Sequence, residues 1–515
     1  MKADVEIAGL RAEILQLRQQ NEWLLEQLKL ARYHRFGASS EKQKMDGVEQ
    51  FHLFNEAEAE SGPSVPEPEL KEIKAYRRRK AGQVGTARLP EDLPVEVIEH
   101  ELGPEERKCP ECGEVLHSMG KELREELKFV PAQAVLVRHI RHTYACRRCE
   151  KHGDRVPITK APMPFPVIKG SFASPEAIAH IAYEKFVMGS PLYRQERNWE
   201  SRGIALSRQT MSNWLIRATE DWLSPVYDVL KAKLLVHQVL HADETAVQVL
   251  HEPGKKPQSK SYMWMYRTSG DALNAIVLYV YQSSRQMRHP KEFLHDFHGF
   301  LHADGYDGYH DLSPDISVVG CWAHVRRRFD EALKIVPAPT QKNSLPMEAI
   351  RCIGKLYKLE EEFQKLSLED KFIDRYEARQ QRSKPLVDAF FDWCSAQKAL
   401  PKSHFGRAVS YALNQRVWLE KYLMDGRLEI DNNRAERSIK PFVIGRKNWL
   451  FCNTKGGARA SAILYSVIET ARENRVNPFD YLSFVFRNAP NCDFMNDPNA
   501  VERLLPWNFT SPATG

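Results

Sequence analysis

The sequence predicts a multidomain α+β protein, and three observations carry that prediction. Apolar residues recur every seven positions near the N-terminus. Two tight cysteine pairs, Cys109/Cys112 and Cys146/Cys149, follow a Pro- and Glu-rich stretch. From about residue 235, strand-like runs alternate with helical sequence, and one long charged helical block interrupts them. At 515 residues the chain exceeds the roughly 250–300 residues at which single cores stop growing, so several domains are expected.

Composition narrows the class. With 42% hydrophobic and 28% charged residues, the chain reads as globular. No run of about 18 apolar residues suggests a membrane span. The N-terminus is charged, without a signal-peptide apolar core, which points to the cytoplasm. A net charge of +6 leans weakly towards a polyanionic partner. Nine cysteines, an odd number, argue for a metal site plus buried thiols rather than a disulfide framework.

The first segment, 1–40, reads as a leucine-zipper coiled coil. Ile7, Ile14, Asn21 and Leu28 fall at a positions, and Leu10, Leu17, Leu24 and Ala31 at d. Ile at a with Leu at d favours a two-stranded coil, and one Asn at a fixes its register. An amphipathic helix docked on the chain's own body is the alternative. Residues 41–95 lack periodicity and read as a disordered or extended linker.

A zinc ribbon is expected over 96–165. Cys109, Cys112, Cys146 and Cys149 can place four thiolates around one structural Zn²⁺, leaving no open position for a substrate. Ala134–Arg141, alternating apolar and basic, suits a strand of that ribbon. A redox pair is the minor alternative.

Residues 170–225 read as a helix-turn-helix. Ser174-Pro175-Glu176 starts a helix, Gly203 turns the chain, and Ser207 caps a helix carrying Arg208, Gln209 and Asn213. Those side chains can reach phosphates and base edges. A plain three-helix bundle with polar outer faces fits the same pattern.

The first part of a catalytic core is expected over 235–335, with strands at 236–250, 261–267, 275–281, 299–306 and 316–322. Asp243 sits in the first, flanked by apolar and β-branched residues. A carboxylate there costs several kcal/mol unless compensated, and a divalent metal is the usual compensation. Three hairpin-like strands followed by helix, strand, helix, strand is the order of a ribonuclease H-like fold. In that fold the first and fourth strands are adjacent, so Asp243 and Asp304 would face each other. Glu244 would point to the opposite face.

An all-helical insertion covers 340–425, where Arg375, Arg379, Arg382, Lys402 and Arg407 could follow a DNA backbone or face solvent. The second part of the core covers 426–488, and 489–515 is a C-terminal tail. Asp431 or Asn432 caps a helix that presents Glu436 to the two aspartates. Asn432 and Arg437 on that helix, with Arg446 and Lys447 beyond it, would handle DNA or orient the carboxylate. Arg326 and Arg327, with His324, would join them from the helix after the fifth strand, although a buried helix-capping role fits His324 and Arg326 equally.

Five segments then carry a resemblance: His-Ala-Asp-Glu-Thr (241–245), Ala-Asp-Gly-Tyr-Asp-Gly-Tyr (303–309), Cys-Trp-Ala-His-Val-Arg-Arg (321–327), Asp-Asn-Asn-Arg-Ala-Glu-Arg (431–437) and Gly-Arg-Lys-Asn-Trp-Leu-Phe (445–451). In this order they resemble the transposases of the insertion-sequence-66 family over nearly the whole chain. The resemblance implies an Asp-Asp-Glu transposase, with Asp243, Asp304 and Glu436 both catalytic and metal-ligating. It implies two Mg²⁺ or Mn²⁺ ions per active site. Terminal inverted repeats and target DNA would be its partners, together with a homodimer or higher assembly and accessory proteins of the same element. It also implies a bacterial, nucleoid-associated location. A non-catalytic DNA-binding regulator, or a nuclease of the same fold without strand transfer, would share most of these features.

Overall fold

The computed structural model describes residues 25, 134–145, 158–365, 371–494, 496–497 and 499–510. The heptad pattern apart from that one position, the linker 41–95 and all four cysteines of the expected zinc ribbon lie outside the described residues. The chain divides into two units, residues 40–161 and residues 1–39 with 162–515, each considered by itself.

In the first unit, β1 (Thr143–Ala145) and β2 (Ile158–Lys160) pair antiparallel. Arg141 Nε donates to the Ala161 carbonyl at 2.6 Å. The strand expected over 134–141 is displaced: residues 134–142 adopt no regular structure and are exposed. Alternation alone makes a strand only where a partner or a covering face rewards it.

The second unit opens with four helices. In α1 (Pro175–Phe186), Ser174 accepts from the Ala177 N–H at 3.0 Å and Pro175 fills the first helical position. After α2 (Leu192–Ser201), Gly203 turns the chain at φ +76°, a conformation glycine takes without steric cost. In α3 (Arg208–Ala218), Ser207 accepts from the Thr210 N–H at 3.1 Å. Met211, Trp214 and Leu215 face inward, while Arg208, Gln209 and Asn213 are exposed. A π-helical turn, Thr219–Leu223, leads into α4 (Ser224–Leu235).

The sheet follows: β3 (Val239–His251), β4 (Lys260–Thr268), β5 (Val277–Gln282), then α5 (Arg288–Phe293), β6 (Gly299–His302) and β7 (Ile316–Val319). The spatial order is β5-β4-β3-β6-β7. The β3-β4-β5 meander is antiparallel, whereas β6 lies parallel to β3 and β7 parallel to β6. At the entry to β6, Gly299 has φ +142°, and a Cβ there would lie 2.3 Å from the Gln238 carbonyl. Glycine thus lets β6 close against β3.

Next come α6 (Trp322–Leu333), α7 (Leu345–Phe363), α8 (Lys371–Ala378), α9 (Lys384–Ala396), α10 (His404–Asn414) and α11 (Arg416–Leu419). Trp322, Phe329, Ile353, Phe390, Phe391 and Tyr422 build their shared core. Arg379 corrects the sequence reading. It is 0% exposed and makes five hydrogen bonds, two to Glu360 and three to the carbonyls of Tyr422, Asp425 and Leu428. It cannot touch DNA from there. Arg382, Lys402 and Arg407 are exposed.

The chain returns through α12 (Asn433–Trp449), β8 (Cys452–Thr454), α13 (Lys455–Glu473) and α14 (Pro478–Asn488). The helix continues through Pro441 to Trp449. An interior proline sacrifices one backbone hydrogen bond, but burial of Ala435, Ile439, Phe442 and Gly445 keeps the helix on the sheet. β8 extends the sheet along the far end of β3. α13 covers β5: Ser466 Oγ accepts from the Tyr279 N–H and Thr470 Oγ1 from the Val277 N–H. An otherwise open sheet edge is thereby satisfied. The C-terminal residues pack inward, with Leu504 and Leu505 buried and the Tyr481 hydroxyl donating to the Leu504 carbonyl.

Candidate active site

Strand alternation sends Asp243 and Glu244 to opposite faces of β3. Glu244 is fully engaged: Tyr309 Oη donates to it at 2.6 Å and Arg285 Nε at 2.8 Å. Its side chain is 1% exposed, which leaves it a structural anchor for the 304–309 turn. Asp243 has a different environment. Its Oδ1 accepts from the Glu244 N–H at 2.8 Å, and it has no ion-pair partner among the described residues. Burial pushes its carboxyl well above the usual range, and the charges of Glu244, Asp304 and Glu436 push it further.

Asp304 is aligned with Asp243 by sheet register. Val239 pairs with Phe300, Leu240 with Leu301 and His241 with His302. Continued by two residues, the same offset sets Asp304 opposite Asp243. β6 itself ends at His302, so Asp304 lies just past the strand rather than within it. Its Oδ1 accepts from the Tyr306 N–H at 3.0 Å, and a Cβ on Gly305 would meet the Tyr411 hydroxyl at 2.5 Å. The loop is thus pinned against α10.

Glu436 sits in the first turn of α12, and that turn is fixed by buried contacts. Asn432 Nδ2 donates to the Ala242 carbonyl at 2.8 Å, its Oδ1 accepts from His241 Nδ1 at 2.9 Å, and its N–H reaches Cys321 Sγ at 3.2 Å. Asp431 accepts from the Asn433 N–H and from the Tyr357 hydroxyl. Arg434 pairs with Glu429 at 2.7 Å. The expectation that Asn432 contacts DNA is corrected by this geometry. At 1% exposure, it ties the Glu436 helix to the strand bearing Asp243.

His241 stacks on His302, with ring centroids 4.4 Å apart. Burial holds His241 down to about 3 and His302 well below the usual range. Both stay neutral and serve as flat packing groups beneath the carboxylates. Composition gives no hint of this pairing, although their places two residues before Asp243 and Asp304 put them in register.

Glu436 faces basic groups from α6. Arg327 Nη2 lies 3.2 Å from Oε2, and His324 Nε2 lies 3.7 Å from Oε1. Arg437 and Lys447 are exposed on α12, Arg326 is partly exposed on α6, and Arg446 reaches Thr245 Oγ1 at 3.2 Å. Arg208 is turned towards Glu196 and Tyr193.

As the side chains stand, no three His, Cys, Asp or Glu among the described residues are grouped to hold a metal ion. Asp243 is nevertheless buried where the charges of Glu244, Asp304 and Glu436 act on it. The hard oxygen donors of Asp243, Asp304 and Glu436 suit a divalent cation of the Mg²⁺ type.

A mixed α/β body with one acidic side chain inside β3, one just past the parallel strand β6 and one on α12, bordered by basic side chains, is suited to a phosphate-rich partner. The comparisons make this specific, and the chain belongs to the IS66 transposase family. Residues 170–460 match the Transposase IS66 family, 106–150 the zinc-finger binding domain of transposase IS66, and 466–507 the IS66 C-terminal element. Residues 23–98 match the Transposase C of IS166 homeodomain. Two relatives come from Sinorhizobium fredii (strain NBRC 101917 / NGR234). Uncharacterized protein y4jD is 32% identical over 463 residues, covering 86% of this chain and 85% of the relative. Uncharacterized protein y4qI is 29% identical over 534 residues, covering 100% and 94%. The family implies DNA as partner and a divalent metal, and its zinc-finger domain implies zinc. Among the described residues, no helix is long and apolar enough to cross a membrane.

Proposed function

We propose that this transposase binds the terminal inverted repeats of its own insertion sequence, cleaves their 3′ ends and joins them to target DNA. Asp243, Asp304 and Glu436 are the catalytic carboxylates of a ribonuclease H-like core. The observation that carries this reading is the β3/β6 register, which aligns Asp243 with Asp304 while buried contacts fix the helix of Glu436 beside them. The meander followed by two parallel strands supports the same core type.

Asp243 and Asp304 would hold divalent metal, and Glu436 would complete the set on turning away from Arg327. Bound metal supplies Lewis acidity to the attacking and leaving oxygens of phosphoryl transfer. Released from Glu436, the half-exposed Arg327 offers its guanidinium to a DNA phosphate, with Arg326 beside it. Neutral, buried His241 and His302 keep the floor of the site rigid. Arg208, Gln209 and Asn213 on α3 contact DNA away from the carboxylates, and Arg437, Arg446 and Lys447 do so along α12. Cys109, Cys112, Cys146 and Cys149 all fall within the zinc-finger match and hold one structural zinc. The heptads assemble a dimer, and the protein acts in the bacterial cytoplasm on nucleoid DNA, with accessory proteins of its element as further partners.

The test uses the full chain and duplexes carrying the element's ends. Mg²⁺-dependent nicks leaving 3′-hydroxyls at the element boundary are expected, with none in EDTA. Binding without cleavage under every metal condition would leave the regulator reading standing instead.

A further inference from the structure

One exposed feature lies beyond the carboxylates, where α12 ends. The Leu450 N–H bonds to the Arg446 carbonyl at 2.7 Å, and the Phe451 N–H reaches back to the Trp449 carbonyl at 2.8 Å. That three-residue loop holds Leu450 at φ +65°, ψ −52°, a γ-turn geometry that is rare and strained for a residue with a Cβ. Such strain persists only where the surrounding structure holds it in place. Yet Leu450 is 64% exposed, so the fold gains little apolar burial from it, and Phe451 beside it is 42% exposed. Both flanks are rigid: Trp449 packs on Phe442, and buried Cys452 pairs with Val249 of β3. Two large apolar side chains therefore project from a firm base.

Charge identifies the occupant. From Arg437 to Ile468 the sequence contains no acidic residue, and it carries Arg437, Lys440, Arg446, Lys447, Lys455 and Arg459. Arg437, Lys447, Lys455 and Arg459 are exposed. An apolar tip on a segment with basic and no acidic residues suits a duplex, because apolar side chains inserted at a base step unstack and kink DNA. We infer that Leu450 and Phe451 form a wedge against a base step of the element-end duplex as it lies along α12. The inference rests on the transposase reading above, and names a positioning device for its substrate. From Glu436 to Leu450 the helix rises about 21 Å. At about 3.4 Å per base pair the wedge meets the duplex roughly six pairs from the phosphate being cut.

The experiment is permanganate reactivity of thymines in an element-end duplex bound by the full chain, comparing the parent with Leu450→Gly/Phe451→Ser. Enhanced reactivity is expected within a few pairs of that position for the parent and is lost in the variant. End binding stays within about threefold, because the basic contacts remain, while cleavage falls about tenfold or more. Leu450→Gly alone should fold at least as stably, since glycine accepts the positive φ. A drop in its thermal midpoint would mean that Leu450 is a structural residue and would overturn the wedge. So would equal reactivity and cleavage in parent and variant. A DNA-free change in oligomeric mass in the variant would make the tip a contact between copies and would also overturn it. If the parent itself neither binds nor cuts the ends, the transposase reading fails first, and that result is distinct from all of these.

Discussion

Asp243→Asn is expected to abolish metal-dependent end cleavage while making the metal-free protein more stable. A divalent metal ion in the site would supply several kcal/mol of transition-state charge stabilisation, and an amide in place of its carboxylate ligand forfeits that, so a loss on the order of 10³-fold or more is expected, each 1.36 kcal/mol being about tenfold. The stability gain follows from the raised carboxyl. Burial and the charges of Glu244, Asp304 and Glu436 raise Asp243 above its unfolded value. Below the unfolded value the group is protonated in both states, and it neither adds nor removes stability. As pH rises past it, the unfolded chain ionises first, so the fold loses stability until the folded value is also passed. Asparagine removes that loss, and its thermal midpoint should exceed the parent's by a few degrees at neutral pH, with the difference vanishing in acid. Added Mg²⁺ should raise the parent's midpoint more than the variant's. A variant that cleaves normally, or is less stable without metal, would remove Asp243 from the site.

Arg379→Ala should cost about 3–5 kcal/mol, the range for breaking a buried ion pair by deleting one partner. It strands Glu360, which is 8% exposed, and frees three carbonyls at once, two of them buried. Those carbonyls, of Tyr422, Asp425 and Leu428, belong to the segment that carries the chain from the helical insertion back to Asn432 and Glu436. A fall in thermal midpoint on the order of 10 °C is expected, at about 2–4 °C per kcal/mol. Activity should be lost through a displaced Glu436. Arg379→Lys should rescue little, because an ammonium cannot reproduce the forked contacts to Glu360. A change below about 1 kcal/mol by chemical denaturation would show that the cluster does not hold this region together.

Much of this was legible in the sequence because its signals are local. Ser174-Pro175 and Ser207 cap helices as such residues do, and runs of apolar and β-branched residues locate β3, β4 and β5 within a few residues. The separation of Asp243 from Asp304 turned out to equal the register offset of β3 against β6. That offset is a pairing property and becomes visible only when the strands are laid side by side. What failed was the sorting of polar residues into surface and interior. Arg379 and Asn432 look like DNA contacts because Arg and Asn usually are exposed. Their burial depends on Glu360, His241 and the Ala242 carbonyl, which are remote in sequence. The continuation of α12 through Pro441 was hidden for a similar reason, since the apolar face that offsets the proline is rewarded only by the sheet beneath it.

The most direct test of the central claim is strand transfer by the full-length protein with Glu436→Gln beside it, using labelled element ends, supercoiled target and Mg²⁺. Glu436 is the proposed third carboxylate, and it faces Arg327 and His324, which makes it the most informative of the three to replace. The account predicts joined products for the parent and neither cut nor joined products for the variant, with end binding unchanged. Joining by Glu436→Gln at the parental rate would contradict it.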